Sequence, residues 1–482
     1  MTDLPFDAVA VLLWTPVAAA LLLALIPNYR ARAHLSTVAS AVTLLAALAL
    51  LAHRPPPGSF VLIDDLNIVF IVLGTFVGFT TSVFAANYLA HELETARLAP
   101  QHVRFYHALY QMLMFAMSLA LISNNIGLMW VGVELATLIT VVMVGLSRTH
   151  EALEAAWKYF ILGSVGIGLA LFGTILVYVA AEPAIGEGLP SMTWTVLAEH
   201  AMVLDPALMS VAFVFLLLGY GTKVGLAPVH AWLPDAHAEG PTPVSAVLSG
   251  LLLNIALYAL LRFKMLLAGN AAVLAPGPLM VTMGLGSAVF ASFMLYRRRD
   301  IKRMFAYSSI EHMGIITFAF GMGGPIANFA ALLHMTMHSL AKSGIFFAVG
   351  NIAQVKGTQR IADIGGLTVT HPWIGWSLVV GVIAIAGLPP LGIFTSEFLV
   401  LSSTFARAPL LALVLAAGLL IGLSALLLRL NTLAFGEPKG PIHAGHPSYA
   451  PMLAHFALVL GAGLYLPGPL VLWFQHVSGL LG

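Results

Sequence analysis

Residues 221–250 read "GTKVGLAPVHAWLPDAHAEGPTPVSAVLSG". The preceding run, "VAFVFLLLGYG" at 211–221, carries no charge. Then Lys223 appears, followed by prolines, two histidines and two carboxylates, before the chain turns apolar again. A greasy helix that carries one lysine and then breaks is costly, so the surrounding sequence has to explain it.

The chain has 482 residues, of which 60% are hydrophobic and 9% charged. That is too little charge to cover a water-soluble surface. Apolar stretches of 18 or more residues recur along its length, which implies an all-α polytopic membrane protein. The stretches are continuous and do not alternate, which argues against a barrel. There is no cysteine, so no disulfide and no Cys-ligated zinc or iron–sulfur centre. A net charge of +1 gives no support to nucleic-acid binding. The flank "MTDLPFD" carries two acids and no base, so the run near 8–27 reads as a retained span and not as a signal peptide.

About 14 spans are expected: 8–27, 34–52, 66–90, 107–123, 126–147, 157–181, 208–229, 242–265, 274–296, 304–322, 327–351, 373–403, 409–432 and 452–475. The longest polar connections, 91–106, 182–207 and 433–450, contain no Gly-rich phosphate loop. With the N-terminus outside, 14 of the 21 Lys and Arg residues fall in inner loops, Lys302 and Lys356 among them. Four, Arg54, Arg262, Lys264 and Arg407, fall in outer loops. This bias predicts both termini on the outer (periplasmic) side of the inner (cytoplasmic) membrane.

Lys158, Lys223 and Lys342 lie within spans, as do Glu134 and Glu397. Glu311 and His312 sit in "AYSSIEHMGII", and His334, His338 and Lys342 share "LLHMTMHSLAKSGIFF". Each charge at mid-membrane costs roughly 2.5–3.5 kcal/mol on insertion scales. The functional reading is a proton or ion path; the plain one is structural ion pairs and histidines bonded between helices. His334, His338 and Lys342 are spaced i, i+4, i+8, along one face of a helix. Pro228, Pro234, Pro241 and Pro243 interrupt the span after Lys223. Gly387, Pro389, Pro390 and Gly392 interrupt the one before Glu397. Paired broken spans beside charges predict two inverted five-helix repeats, 107–265 and 266–435, between N-terminal helices at 1–106 and a last helix at 436–482. On this reading the break lets Asp235, His230 or His237 approach Lys223.

The opening stretch resembles the most characteristic segment of the antiporter-like subunits of respiratory complex I, the cation/proton antiporters and the membrane-bound hydrogenases. "WVGVELATL" (130–138), "AAWKYFILGS" (155–164), "RRRDIKRMFAYSSIEHMG" (297–314), "HMTMHSLAKSGIFFAVG" (334–350) and "AGLPPLGIFTSEF" (386–398) extend the likeness over roughly 60–435. The resemblance implies 14 helices with two inverted five-helix repeats. It implies that Glu134 partners the broken-helix lysine Lys223, with His230 and His237 in the matching loop. His338 and Lys342 resemble the second-repeat relay and Glu397 its terminal acid, which other members replace by lysine. Lys158 also matches, though its place near the inner interface suits a structural or lipid-facing role equally.

Asn254 stands where family members often carry a central lysine, so that step would run on water and on groups such as His312 or His334. This and "SSIEHMG" resemble the hydrogenase-4 or formate hydrogenlyase type. The resemblance implies a proton-translocating subunit, with Na+ as an alternative cargo and no cofactor on this chain. Its partners would be other membrane subunits, lipids and a peripheral hydrogenase- or complex I-like redox module. Two alternatives remain: a subunit of a non-redox cation/proton antiporter or bicarbonate-uptake complex, and a membrane anchor that has lost conduction.

Overall fold

A computed structural model describes residues 6–441 and 447–482. The start of the N-terminal flank and part of the 433–450 connection lie outside the described residues. Helices stand at each of the fourteen expected positions. They are α1 (Ala8–Leu25), α2 (Tyr29–Ala52), α3 (Asn67–Glu94), α4 (Tyr106–Ile122), α5 (Ile126–Val144) and α6 (His150–Ile185). At the next expected span, 208–229, stands α7 (Pro206–Val224), and a short helix beyond it, α8 (Trp232–Glu239), falls in the connection to the following span. There follow α9 (Thr242–Ala268), α10 (Pro276–Leu295), α11 (Ile301–Met322) and α12 (Pro325–Lys356). The expected span 373–403 is a pair, α13 (Pro372–Ile385) and α14 (Gly392–Arg407). The last elements are α15 (Pro409–Phe435), α16 (Tyr449–Leu464) and α17 (Gly468–Leu480).

Among the described residues ten helices are long and apolar enough to cross a membrane. An eleventh span results if α16 and α17, bent by 82° to each other, count as one. The rest of the set is the two halves of the second broken span together with α11 and α12, which carry the buried titratable residues. α9 is buried along nearly all of its length, whereas α1 and α15 are only about one-third buried and turn large apolar side chains outward. The molecule is therefore layered, with polar-bearing helices inside a greasy rim.

Helix ends follow local chemistry. The Asn125 side chain accepts from the N–H groups of Gly127 and Leu128 and starts α5. Asp205 does the same for Ala207 and Leu208, with Pro206 as the first residue of α7. Both choices supply acceptors for donors that have no helical partner. α10 and α11 pack with their backbones in contact. A Cβ on Gly314 would stand 2.6 Å from the Ala288 nitrogen, so α11, which carries Glu311 and His312, approaches this closely only with glycine there.

The two breaks share one device. Gly225 has a φ of +82° and Gly387 a φ of +63°, the left-handed region that glycine enters without penalty. Gly225 N–H donates to Thr222 O and Leu226 N–H to Gly221 O. Gly387 N–H donates to Ala384 O and Leu388 N–H to Ile383 O, in the same spacing. Each is a Schellman C-terminus, which satisfies the last carbonyls of a helix at membrane depth. The prolines have a smaller part than expected. Pro234 lies inside α8 and Pro243 in the first turn of α9, so both sit within helices that they had been expected to interrupt.

Five residues assigned to loops by charge counting, Arg32 in α2 and the four that follow, are instead buried. Arg262 lies in α9 with both terminal nitrogens on Asp64, at 2.6 and 2.8 Å. Lys264, also in α9, donates to Leu481 O. Lys302 donates to the carbonyls of Ala238 and Gly240 and so caps the C-terminus of α8. Lys356, the last residue of α12, donates to Lys439 O.

Candidate ion-translocation site

Lys223 sits in the last turn of α7, where the helix dipole favours a cation. The side chain is fully buried, and no protein atom accepts from Nζ. It lies over Gly163 of α6, where a Cβ would come within 2.7 Å of Nζ, and 5.2 Å from the Tyr159 ring centroid. Gly163 is thirteen residues into α6, roughly 20 Å along its axis. Glu134, on α5, is the charged neighbour whose field acts on Lys223, and its Oε2 is likewise without a hydrogen-bond partner. The lysine's walls are aromatic. Trp232 stacks on Tyr159 with centroids 4.2 Å apart and donates from Nε1 to Thr222 O at 2.7 Å. The Tyr159 hydroxyl bonds Thr140 at 2.9 Å.

Other residues expected at Lys223 go elsewhere. Asp235 is committed to an ion cluster at the helix ends, 3.3 Å from Lys158 and 3.2 Å from Arg303. Lys158 also pairs with Glu154 at 2.6 Å. His230 faces Phe290 and Tyr307 across the break. His237 stacks flat on Phe346 of α12 at 4.8 Å, and neither ring nitrogen has a partner. The break therefore wraps Lys223 in Trp232 and brings neither Asp235 nor either histidine into bonding contact with it.

The second half is more densely connected. His312 Nδ1 and His334 Nε2 are 2.9 Å apart, and the His312 and His338 rings have centroids 5.7 Å apart. The face of α12 predicted by spacing is thus real, and it closes on α11. Ser396 Oγ lies 2.9 Å from His334 Nδ1 and donates its own proton to Ile393 O. Glu397 Oε1 is 3.8 Å from His312 Nδ1, and the carboxylate packs directly on Gly387. Lys342 donates to Phe305 O at 2.8 Å. Glu311 accepts from Ser292 at 2.7 Å, packs on Gly422, and acts electrostatically on both Lys342 and Glu397.

Between the two halves runs a seam of hydroxyl and amide groups. Asn254 donates to Ser339 Oγ at 2.6 Å and to Met335 O at 3.2 Å. Ser249 and Ser309 are 2.7 Å apart, and Ser343 donates to Ala246 O at 3.3 Å. Asn254 lies twelve residues into the 27-residue α9, at its middle. These serines, with Tyr159, Trp232 and Ser396, were not singled out from the sequence. Trp232 and Tyr159 stand inside the quoted motifs, one position from a histidine-bearing turn and from Lys158. Small hydroxyls in apolar helices carry no comparable signal. His455 was also missed: it is bonded to Thr80 at 2.8 Å and Leu340 O at 2.9 Å, a satisfied histidine of the packing core.

Comparison with known proteins decides the family. Residues 123–421 match the family described as NADH:quinone oxidoreductase/Mrp antiporter, TM. The chain belongs to that family. It is similar to the "Hydrogenase-4 component F homolog" of Methylacidiphilum infernorum, 61% identical over 475 residues, 98% of this chain and 100% of the relative. It is 28% identical over 421 residues to NADH-quinone oxidoreductase subunit N of Desulforudis audaxviator, covering 86% and 80% of the two chains. Among solved structures, a chain of the archaeal membrane-bound sulfane sulfur reductase has the same fold, with a TM-score of 0.86 over 98% and 97% of the two chains at 22% identity. The chain is accordingly an antiporter-like membrane subunit of the type found in complex I and hydrogenase assemblies.

Proposed function

We propose that this subunit carries protons across the inner membrane within a hydrogenase- or complex I-type assembly, whose partner subunits hold the redox centres. One observation carries the reading: ionisable side chains of both signs gather in two groups on apolar helices, Lys223 with Glu134 and Lys342 with His338, His312, His334, Glu311 and Glu397, and hydroxyl and amide groups of α9, α11 and α12 lie bonded to one another beside the second. An isolated buried charge is expensive. A lysine held without a partner, near a carboxylate that it does not touch, is a group whose charge responds to small changes in spacing. Histidines bonded to one another can pass a proton between their ring nitrogens. Glu134 and Lys223 take up the proton, the Asn254 seam links the halves, and Lys342, His338, His312 and His334 pass it to Glu397. Glu311 sets the field at that end. His237 lies between the clusters as an intermediate, and His230 lines the break.

The two Schellman breaks support the reading of two inverted halves, 107–265 and 266–435, and on this reading both termini lie on the periplasmic side. The cluster of imidazoles suits protons better than sodium, which prefers oxygen ligands. The test uses the whole assembly in sealed vesicles. Lys223→Ala and Glu397→Ala are each expected to lower redox-driven proton uptake at least tenfold while the assembly stays intact. Undiminished uptake in both variants overturns the proposal.

A further inference from the structure

We infer that His312, His334 and Glu397 form a binding site for a divalent transition-metal ion of the Zn2+ class. One ligand atom from each lies within 4.8 Å of the others, with His312 and His334 buried and Glu397 partly so. Two imidazoles and one carboxylate with a fourth position left for water are the ligand set of open zinc sites. The separations fit after small side-chain movements. Tetrahedral bonds of about 2.0–2.1 Å place ligand atoms roughly 3.3 Å apart. The imidazole nitrogens stand 2.9 Å apart and the carboxylate 3.8 Å from His312, on either side of that value.

A second observation points the same way. Ser396 spends its proton on Ile393 O, so its oxygen accepts from His334 Nδ1–H. That hydrogen bond fixes the His334 tautomer and leaves the Nε2 lone pair facing His312. In the ion-free state His312 Nδ1–H therefore donates to His334 Nε2; a bound ion takes the place of that proton, which moves to His312 Nε2. An oriented imidazole backed by a hydroxyl is how metal-ligating histidines are held. Gly387, against which Glu397 packs, leaves room for the carboxylate to swing. An ion seated there occupies the three atoms that would exchange protons, so it would block the second half. That consequence rests on the proton-transfer reading; the binding itself does not.

The test titrates Co2+ into the full chain in lipid nanodiscs and follows visible absorption. One ion per chain with the intense bands of a four-coordinate site is expected, displaced by Zn2+. His334→Ala and Glu397→Gln should each abolish those bands. Ser396→Ala should weaken the affinity about 10- to 100-fold, since it removes only the hydrogen bond behind a ligand. Circular dichroism and size-exclusion elution establish that each variant is folded, and Ser396→Ala keeps all three ligands if another variant fails to fold. Bands of equal strength in His334→Ala and Glu397→Gln overturn the inference, as does only the weak absorption of six-coordinate cobalt in the unmodified chain. Binding is read without any transport, so its failure and the failure of proton conduction are separately visible.

Discussion

Replacing Lys223 with methionine separates a functional lysine from a structural one by the sign of the stability change. Methionine keeps the length of the side chain and removes the ammonium. If Lys223 were holding helices together, its loss would leave a buried partner unpaired, and breaking a buried pair costs about 3–5 kcal/mol. The structure shows the opposite situation. Nζ has no protein acceptor, and Glu134 is half-buried and not bonded to it. A buried polar group without a partner costs roughly 1–3 kcal/mol, which an apolar isostere recovers. The surrounding surface is Tyr159, Trp232, Gly163 and Thr137, against which a thioether packs well. Lys223→Met is therefore expected to be neutral or up to about 3 kcal/mol more stable, with proton uptake lost. Denaturant unfolding in mixed micelles gives the first quantity, and dye-reported acidification of vesicles holding the whole assembly gives the second. A variant that is destabilised by several kcal/mol yet still transports would refute the reasoning, because it would make Lys223 glue.

Gly387→Ala puts a Cβ into the Glu397 carboxylate and adds about 1–2 kcal/mol for the left-handed backbone. Gly225→Ala carries the same backbone cost but meets only a leucine methyl, so transport should fall much further in the first variant; equal transport would show that the seat of Glu397 is unimportant. Arg262→Met leaves Asp64 without its bidentate partner and should cost about 3 kcal/mol of stability in the same unfolding assay, which Asp64→Asn in the same chain should partly restore. Burial acts to raise the Asp64 carboxyl, but Arg262 and the N–H groups of Leu66 and Asn67 outweigh it and hold it below its ordinary value of 3.8. Its contribution is thus complete above that value and lost as pH falls through the lower folded one, so the acid-side melting of wild type should be steeper than that of Asp64→Asn. Asn254→Leu removes the bonds to Ser339 and Met335, costing roughly 1–3 kcal/mol, and should lower proton uptake; normal uptake would route the central step around Asn254.

How far the sequence discloses all this depends on what kind of force shapes each feature. The spans were legible because a hydrocarbon interior admits few solutions, and "VAFVFLLLGYG" allows little except a helix. The i, i+4, i+8 ladder of His334, His338 and Lys342 was legible because helical period is local. Charge counting misplaced Arg262, Lys264, Lys302 and Lys356, since a lysine bonded to the carbonyls of another helix end has no local signature. Asp235 failed for the same reason: its partners, Lys158 and Arg303, lie 77 and 68 positions away. The first break was found by its prolines and the second by Gly387 and Gly392 with its prolines, and the residues that end the two helices are the glycines Gly225 and Gly387. "VGLAP" at 224–228 and "AGLPP" at 386–390 place a glycine, a leucine and a proline in the same order, and each glycine is the left-handed residue of a Schellman turn. That shared pentapeptide is a likeness between the halves visible without any structure. It bears on function directly, because a helix ended by such a turn stops within the bundle and puts the negative end of its dipole there. Lys223 occupies that position in the first half. In the second, the equivalent turn receives the Glu397 carboxylate on its glycine. If the halves arose from one unit, the cation and the anion mark the same structural feature, a helix end opened inside the membrane, used once from each side of the break.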